Sequence, residues 1–110
     1  MKPKSYDKVY SDDIYDLLDH MEKSGGLFVL RPNLELLYSF ISGVKWVSFD
    51  EKIEIKNIDQ LDIFYKFLMK KLNLEHENTM GWFGIIASEH GTGKEGYYKF
   101  FEYLNEFRNS

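Results

Sequence analysis

The sequence predicts an α/β domain of the α+β type, in which a small mixed or antiparallel sheet of about four strands packs with about four helices. Three observations lead to this fold class. Apolar residues recur at helical spacing in four segments, short continuous apolar runs have the length of buried strands, and residues 52–56 alternate between charged and apolar side chains. The expected order of elements is α-β-α-β-β-α-β-α.

Length and composition favour a single globular domain over residues 1–110. The chain has 110 residues, of which 44% are hydrophobic and 17% aromatic, so it can bury a core without help from a metal or a disulfide. It contains no cysteine, which excludes disulfides and any cysteine-ligated zinc site. We therefore expect a cytoplasmic protein without a cofactor.

The charge of the chain narrows the classes of partner. The formal net charge is −4 and no segment is rich in Lys or Arg, which argues against a nucleic-acid partner. No apolar run has the roughly 18 residues needed to span a membrane, and no apolar region follows the basic residues at the start, so we expect no secretory leader. We expect neither nucleic acid nor a membrane as partner.

The chain begins with an arm and a first helix. Residues 1–10 lack clear periodicity, and we interpret them as an arm that docks through Tyr6, Val9 and Tyr10. Ser11 is the expected N-cap, and the pair Gly25 and Gly26 is the expected stop. Between them, one helical face carries four apolar residues, namely Ile14, Leu17, Leu18 and Met21.

The middle of the chain predicts three strands around a second helix. Residues 27–30 form a short apolar run typical of a buried strand. Asn33 is the expected cap of the second helix, and Gly43 its expected end. Residues 44–49 and 52–56 then predict two strands, joined as a hairpin through Asp50 and Glu51. The inward face of the second helix consists of Leu34, Leu37, Tyr38 and Ile41.

The last half of the chain predicts two helices and one strand. The third helix begins at Asn57 or Asp59, and a polar surface loop follows at residues 73–79. Residues 80–87 form an apolar segment between glycines, which predicts a buried strand. Residues 94–107 predict an aromatic helix. The apolar stripes are Leu61, Phe64, Tyr65, Leu68 and Leu72 in the third helix, and Tyr97, Phe100, Phe101, Leu104 and Phe107 in the last.

The loop at residues 88–94 is the candidate site for an anion or a nucleotide. It follows a predicted strand, is rich in glycine and opens a helix, and Lys94 could neutralise a phosphate there. A P-loop requires glycine at the position of Ser88 and Ser or Thr at the position of Glu95, so the motif does not match. The simpler interpretation is a turn in which Thr92 caps the last helix.

Glu89 and His90 in the same loop are the candidates for proton transfer in an enzyme. Histidine is the side chain that titrates closest to neutral pH, and an acidic neighbour would orient it. The serines have no nucleophile-elbow pattern and no cysteine is present, so covalent catalysis lacks a candidate. Two histidines, His76 and His90, have acidic neighbours, but the fixed spacings of metal motifs are absent. We therefore predict no metal site and favour a protein that is not an enzyme.

An acidic face on the first helix is the main candidate for binding a partner. Asp12, Asp16 and Asp19 recur at helical spacing opposite the apolar stripe, with Tyr15 beside them. Such a face would attract a protein with a basic surface, and the tyrosine would serve as an anchor. Glu75 and Glu77 in the polar loop are the second choice. The alternative is an ordinary solvated face of an acidic protein.

The general profile is similar to that of small bacterial immunity and antitoxin proteins, which are acidic, compact, poor in cysteine and neutralise a toxin. This resemblance is one of composition and involves no motif. It implies a non-catalytic protein that occludes the basic active site of a toxin such as a nuclease. The alternative is a small enzyme or an anion-binding or nucleotide-binding domain that uses Glu89, His90, Thr92 and Lys94. A third class is an oligomerisation module with a large apolar patch.

Overall fold

The computed structural model describes residues 12–24, 31–50 and 53–110, and this part of the chain contains five α-helices. Asp13 precedes the first helix and accepts a hydrogen bond from the backbone N–H of Tyr15 at 2.9 Å, as an N-cap does. The helices are α1 (Ile14–Ser24), α2 (Leu34–Asp50), α3 (Gln60–Lys71), α4 (Gly81–His90) and α5 (Lys94–Arg108).

One apolar core joins the five helices. Helix α4 lies at its centre and packs against α2, α3 and α5, while α5 also packs against α2 and α3. Burial of these side chains is the main stabilising contribution, since it removes apolar surface from water. The fully buried side chains include Ile14, Leu18, Met21, Leu34, Leu37, Phe64, Leu68, Ile86 and Phe100.

The predicted α/β fold is wrong, and so is the predicted order of elements. Within the described residues the structure is a helical bundle with no strand and no sheet. The nearest approach to a sheet is one isolated parallel bridge, in which Asp12 and Ile14 exchange backbone hydrogen bonds with Lys56. Short apolar runs have no periodicity of their own, so only packing decides whether they become strands or helices.

The predicted strand at residues 80–87 is helix α4. Trp82, Phe83, Ile85 and Ile86 are all buried, because other helices cover α4 on several sides. A helix that is apolar on nearly every face is typical of a central position in a core. The continuous apolar run at residues 80–87 therefore indicates that the segment is buried on several sides, but it does not distinguish a strand from a helix.

The predicted strand at residues 44–49 is the second half of α2. Helix α2 runs through Gly43 without a break, so the predicted stop at that glycine is wrong. Residues 53–55 are irregular and Lys56 forms only the isolated bridge, so the strand predicted at 52–56 is also absent from the described part. A hairpin centred on Asp50 is excluded, because Asp50 is the last residue of α2.

Several predictions fall on residues that the structure does not describe. They are the arm at residues 1–10, the Ser11 cap, the stop at Gly25 and Gly26, the strand at residues 27–30, and Glu51 in the predicted hairpin.

The apolar faces predicted for the helices are confirmed. Leu17 and Met21 of α1, Leu37 and Ile41 of α2, and Leu61 and Phe64 of α3 are buried. Asn33 caps α2 as expected, since its Oδ1 atom accepts a hydrogen bond from the backbone N–H of Leu36 at 2.9 Å. The last helix begins at Lys94 as predicted and ends one residue later than predicted, at Arg108.

The turn between α4 and α5 holds the beginning of α2. The backbone N–H of Leu34 donates to the carbonyl of Gly93 at 3.0 Å, and the N–H of Glu35 donates to the carbonyl of Thr92 at 3.1 Å. These contacts satisfy N–H groups that the first turn of a helix leaves without partners. Gly96 permits the close approach, because a Cβ atom there would clash with the carbonyl oxygen of Gly91 and press on Leu34.

Gly96→Ala should destabilise the fold by about 1 to 3 kcal/mol, because the added methyl group overpacks this junction. Gly43→Ala is the matched control within a helix. A Cβ atom at Gly43 meets nothing within 4 Å, so alanine should stabilise α2 by about 0.5 to 1 kcal/mol. Urea unfolding followed by circular dichroism measures both changes. Equal stability of the two variants would contradict the tight junction.

Stability should also fall at high pH because of Tyr97. Burial, with smaller effects from Tyr98 and Glu22, raises the pKa of Tyr97 to about 12 from an ordinary value of 10.0. The unfolded chain releases this proton first, so the contribution is complete below pH 10 and is lost as the pH rises toward 12. The loss due to Tyr97 at pH 11 should be roughly 1 kcal/mol.

Urea unfolding at pH 9 and pH 11 tests this dependence. Tyr97→Phe should show a smaller loss between the two values than the unchanged chain. Tyr98→Phe is the control, since Tyr98 is half exposed and adjacent in sequence. It should keep most of the pH dependence, because burial is the largest cause of the raised pKa of Tyr97. An unchanged dependence in Tyr97→Phe would show that this phenol is not responsible.

Candidate functional site

A cleft of about 950 Å³ lies between the second half of α2, the beginning of α3 and the turn that enters α4. It is larger than a second depression of about 700 Å³ beside Phe67 and Lys71, and aromatic rings make up much of its wall. The aromatic and apolar side chains that line it are Tyr38, Ile41, Trp46, Phe49, Ile58, Leu61, Tyr65, Met80 and Trp82.

The outer wall of the cleft consists of exposed aromatic side chains on α2. Trp46 is 65% exposed and Phe49 is 86% exposed. They are exposed because α2 continues beyond the core, and within α2 none of the side chains from Ser42 to Phe49 is buried. Large apolar side chains that stand together in solvent at a cleft are typical of interaction sites.

The floor of the cleft is rigidly packed. Tyr38 stacks on Phe83 with ring centres 4.3 Å apart and meets Trp82 edge to face at 5.7 Å. Trp82 in turn contacts Phe100 in the centre of the core at 4.8 Å. Since these rings are fixed by the core, the cleft exists before any ligand arrives, which lowers the entropy cost of binding.

Asn78 organises the rim between α3 and α4. Its backbone N–H donates to the hydroxyl of Tyr65 at 3.0 Å, and its side-chain oxygen accepts a hydrogen bond from the N–H of Met80 at 2.8 Å. Gly84 leaves room for this side chain, because a Cβ atom there would overlap the Asn78 amide. The turn that carries Met80 is therefore held in place against α3.

The charged residues of the cleft balance one another. Lys45 on α2 and Asp62 on α3 form an ion pair of 3.0 Å across it. Lys66 and Asp59 are the other two charged residues that line it, so its formal charge is zero. The cleft thus differs from the chain as a whole, which carries −4.

The acidic face predicted on α1 contacts the end of α5. The guanidinium of Arg108 bonds the Asp19 carboxylate at 2.6 Å, and its carbon lies 4.2 Å from the centre of the Tyr15 ring. Burial raises the pKa of Tyr15 more than the Arg108 charge lowers it, so its hydroxyl stays neutral. A basic side chain of the protein itself therefore occupies the anchor that the sequence suggested for a partner.

The other predicted acidic residues are placed in two regions. Asp12 lies just before α1 and is exposed, and Asp16 lies in the first turn of α1. Glu75 and Glu77 are exposed in the connection between α3 and α4. Glu77 directly precedes Asn78, so this second set of acids adjoins the rim of the cleft.

The residues of the alternative site are only partly brought together. Glu89 and His90 lie in the last turn of α4, and Thr92 lies in the turn before α5. His90 contacts Glu95 through Nδ1 at 3.1 Å and the Tyr103 hydroxyl through Nε2 at 3.3 Å. Burial, together with Glu89 and other neighbours, raises the pKa of Tyr103, which leaves a neutral hydroxyl. The arrangement fastens α4 to α5.

The predicted cap at Thr92 is wrong. The N-cap of α5 is Gly93, and no side chain bonds the first turn of that helix as a cap. The carbonyl groups of Thr92 and Gly93 face the beginning of α2, where they accept two hydrogen bonds. Lys94 is exposed. The turn therefore presents acceptors to another helix, whereas a phosphate-binding loop presents donors.

The described residues also bear on two other kinds of site. Among residues 12–24, 31–50 and 53–110, no group of three or more metal-binding side chains is arranged to hold an ion. In the same part of the chain, no helix combines the length and the apolar character needed to cross a bilayer.

Comparisons with protein-family models, with curated proteins and with solved structures found no match.

Sequence reasoning missed the residues of the cleft wall. Trp46 and Phe49 lie in the apolar run at residues 44–49, which predicts a strand whose alternate residues face a core. A signal was nevertheless present, because extending the helical register of Leu34, Leu37 and Ile41 past Gly43 places both rings off the buried stripe.

Removal of Arg108 tests the contact between α5 and the acidic face of α1. Arg108→Ala should lower the free energy of unfolding by about 1 kcal/mol, since it removes a partly exposed ion pair and a cation–π contact. Lys99→Ala is the control, because it removes an exposed pair between Lys99 and Glu102 within α5 and should cost less than about 0.5 kcal/mol. Urea unfolding measures both, and equal effects would contradict a special role for Arg108.

Proposed function

We propose that this chain is a non-catalytic protein-binding domain whose partner occupies the aromatic cleft. The observation that supports the proposal is the exposure of Trp46 and Phe49 at the edge of a cleft whose floor is already packed. Exposed aromatic rings are unfavourable in water. If nothing covered this part of α2, polar side chains at the two positions would avoid that cost. Their position is explained if a protein surface buries them.

The chemistry of the cleft suits a protein partner. Tryptophan and tyrosine are the residues that contribute most often to binding hot spots, and here Trp46, Tyr38 and Tyr65 line one depression. The ion pair of Lys45 with Asp62 lies in the same cleft and is available to polar groups of a partner. An apolar centre with charged side chains around it is the usual composition of such interfaces.

Within this class we propose the role of an immunity or antitoxin protein that neutralises a toxin by covering its active site. The supporting features are the charge of −4 and the exposed Glu75 and Glu77 beside the rim, which would attract a basic protein. Tyr15 and Asp19 contribute less than the sequence suggested, because Arg108 already contacts both.

Capture of proteins from the native host tests the binding function. Trp46 and Phe49 are exposed, so the double variant Trp46→Ser and Phe49→Ser should fold normally, which circular dichroism verifies. The unchanged chain should retain a protein that the double variant loses. Tyr98→Ser, which removes a half-exposed ring from α5, is the matched control and should retain it.

The captured protein is then purified and its affinity measured by calorimetry. The double variant should bind at least about 100-fold more weakly, because loss of two anchors of this type costs several kcal/mol. Co-expression should relieve growth inhibition by a captured toxin, and the double variant should fail to relieve it. Equal affinity of the double variant and the unchanged chain would disprove binding through the cleft.

A further inference from the structure

We propose that a second copy of this chain occupies the cleft when no partner is bound, so that the free protein forms a weak twofold dimer through the second halves of two α2 helices. This inference rests on the proposed function, because it uses the same cleft. It names the molecule that occupies the cleft in the free protein. It also implies that self-association and partner binding compete for the same surface.

The first support is the shape of the surface. The last two turns of α2 extend about 10 Å past Gly43, at 1.5 Å per residue, and carry Trp46 and Phe49 as projecting rings. Beside them lies a depression floored by Tyr38, Tyr65 and Trp82. A surface with a projection and an adjacent depression can pair with itself about a twofold axis, each projection entering the depression of the other copy.

The second support is the charge of the surface. Two copies of a protein with charge −4 repel each other unless the facing surfaces are locally neutral. The cleft meets this condition, since Lys45 and Lys66 balance Asp59 and Asp62. The acidic residues Asp12, Glu75 and Glu77 do not line the cleft. Self-pairing through the lining residues therefore brings together two surfaces whose formal charges cancel.

The third support is the apolar area available. Since a large side chain offers on the order of 150 to 250 Å², the exposed parts of Trp46, Phe49, Met80 and the half-buried cleft residues amount to roughly 500 Å² per copy. Two copies would bury about 1,000 Å², which is at the lower limit for a specific interface. We therefore expect weak, reversible association, which a tighter partner would displace.

Sedimentation equilibrium of the purified chain from 1 to 500 µM tests the proposal. The average mass should rise from the monomer value of 13.1 kDa toward twice that value. Acrylamide quenching should fall at least about twofold over the same range, because Trp46 is largely exposed in the monomer while Trp82 is buried at every concentration.

Three variants identify the surface. Phe49→Lys and the double variant Trp46→Ser and Phe49→Ser should remain monomers at 500 µM, with circular dichroism spectra of the unchanged chain. Tyr98→Ser should dimerise with the unchanged Kd, because Tyr98 is an exposed ring on α5 outside the cleft.

Each outcome separates this inference from the proposed function. A monomer at 500 µM overturns the dimer but leaves partner binding through the cleft intact. A dimer that survives in the double variant uses another surface and also overturns the inference. A dimer lost in the double variant, combined with full affinity of that variant for a captured partner, supports the dimer and refutes the proposed use of the cleft by the partner.

Discussion

The rest of the structure depends on the junction between the beginning of α2 and the turn between α4 and α5. Two backbone hydrogen bonds, from Leu34 to Gly93 and from Glu35 to Thr92, fix the point where α2 enters the core. Gly96 lets the helices approach closely enough for these bonds to form. Because α2 is anchored at its beginning and is 17 residues long, its second half extends past the fully buried part of the core, and Trp46 and Phe49 reach solvent there.

The cleft forms where the second half of α2 extends past the buried core. The helix carries Trp46 and Phe49 away from the other buried rings, while α3 and the turn at Met80 supply the opposite wall. Hydrogen bonds from Asn78 to Tyr65 and from Met80 to Asn78 hold that wall in place. The chain thus combines a rigid recess with exposed aromatic rings, and both depend on helix length and packing. A domain selected for stability alone would place polar residues at these positions.

The acidic face of α1 shows why a charge pattern in sequence is an incomplete guide to a binding site. Asp16 and Asp19 lie on one helix as their spacing indicated and Asp12 lies just before it, but Arg108 comes from 89 positions away to contact Asp19. A guanidinium at 2.6 Å from the carboxylate competes directly with any basic group of a partner. Long-range pairing of this kind leaves no trace in local spacing.

The sequence by itself determined the buried faces of the helices, the cap at Asn33 and the beginning of α5, because helical periodicity and capping are local properties that a few neighbouring residues specify. Only the tertiary structure decided that residues 44–49 and 81–87 are helical, since a continuous apolar run satisfies a strand and a buried helix equally well. It also decided which aromatic rings are exposed. Trp82 and Trp46 are the same residue type in similar apolar runs, yet packing around α4 buries one and the length of α2 exposes the other.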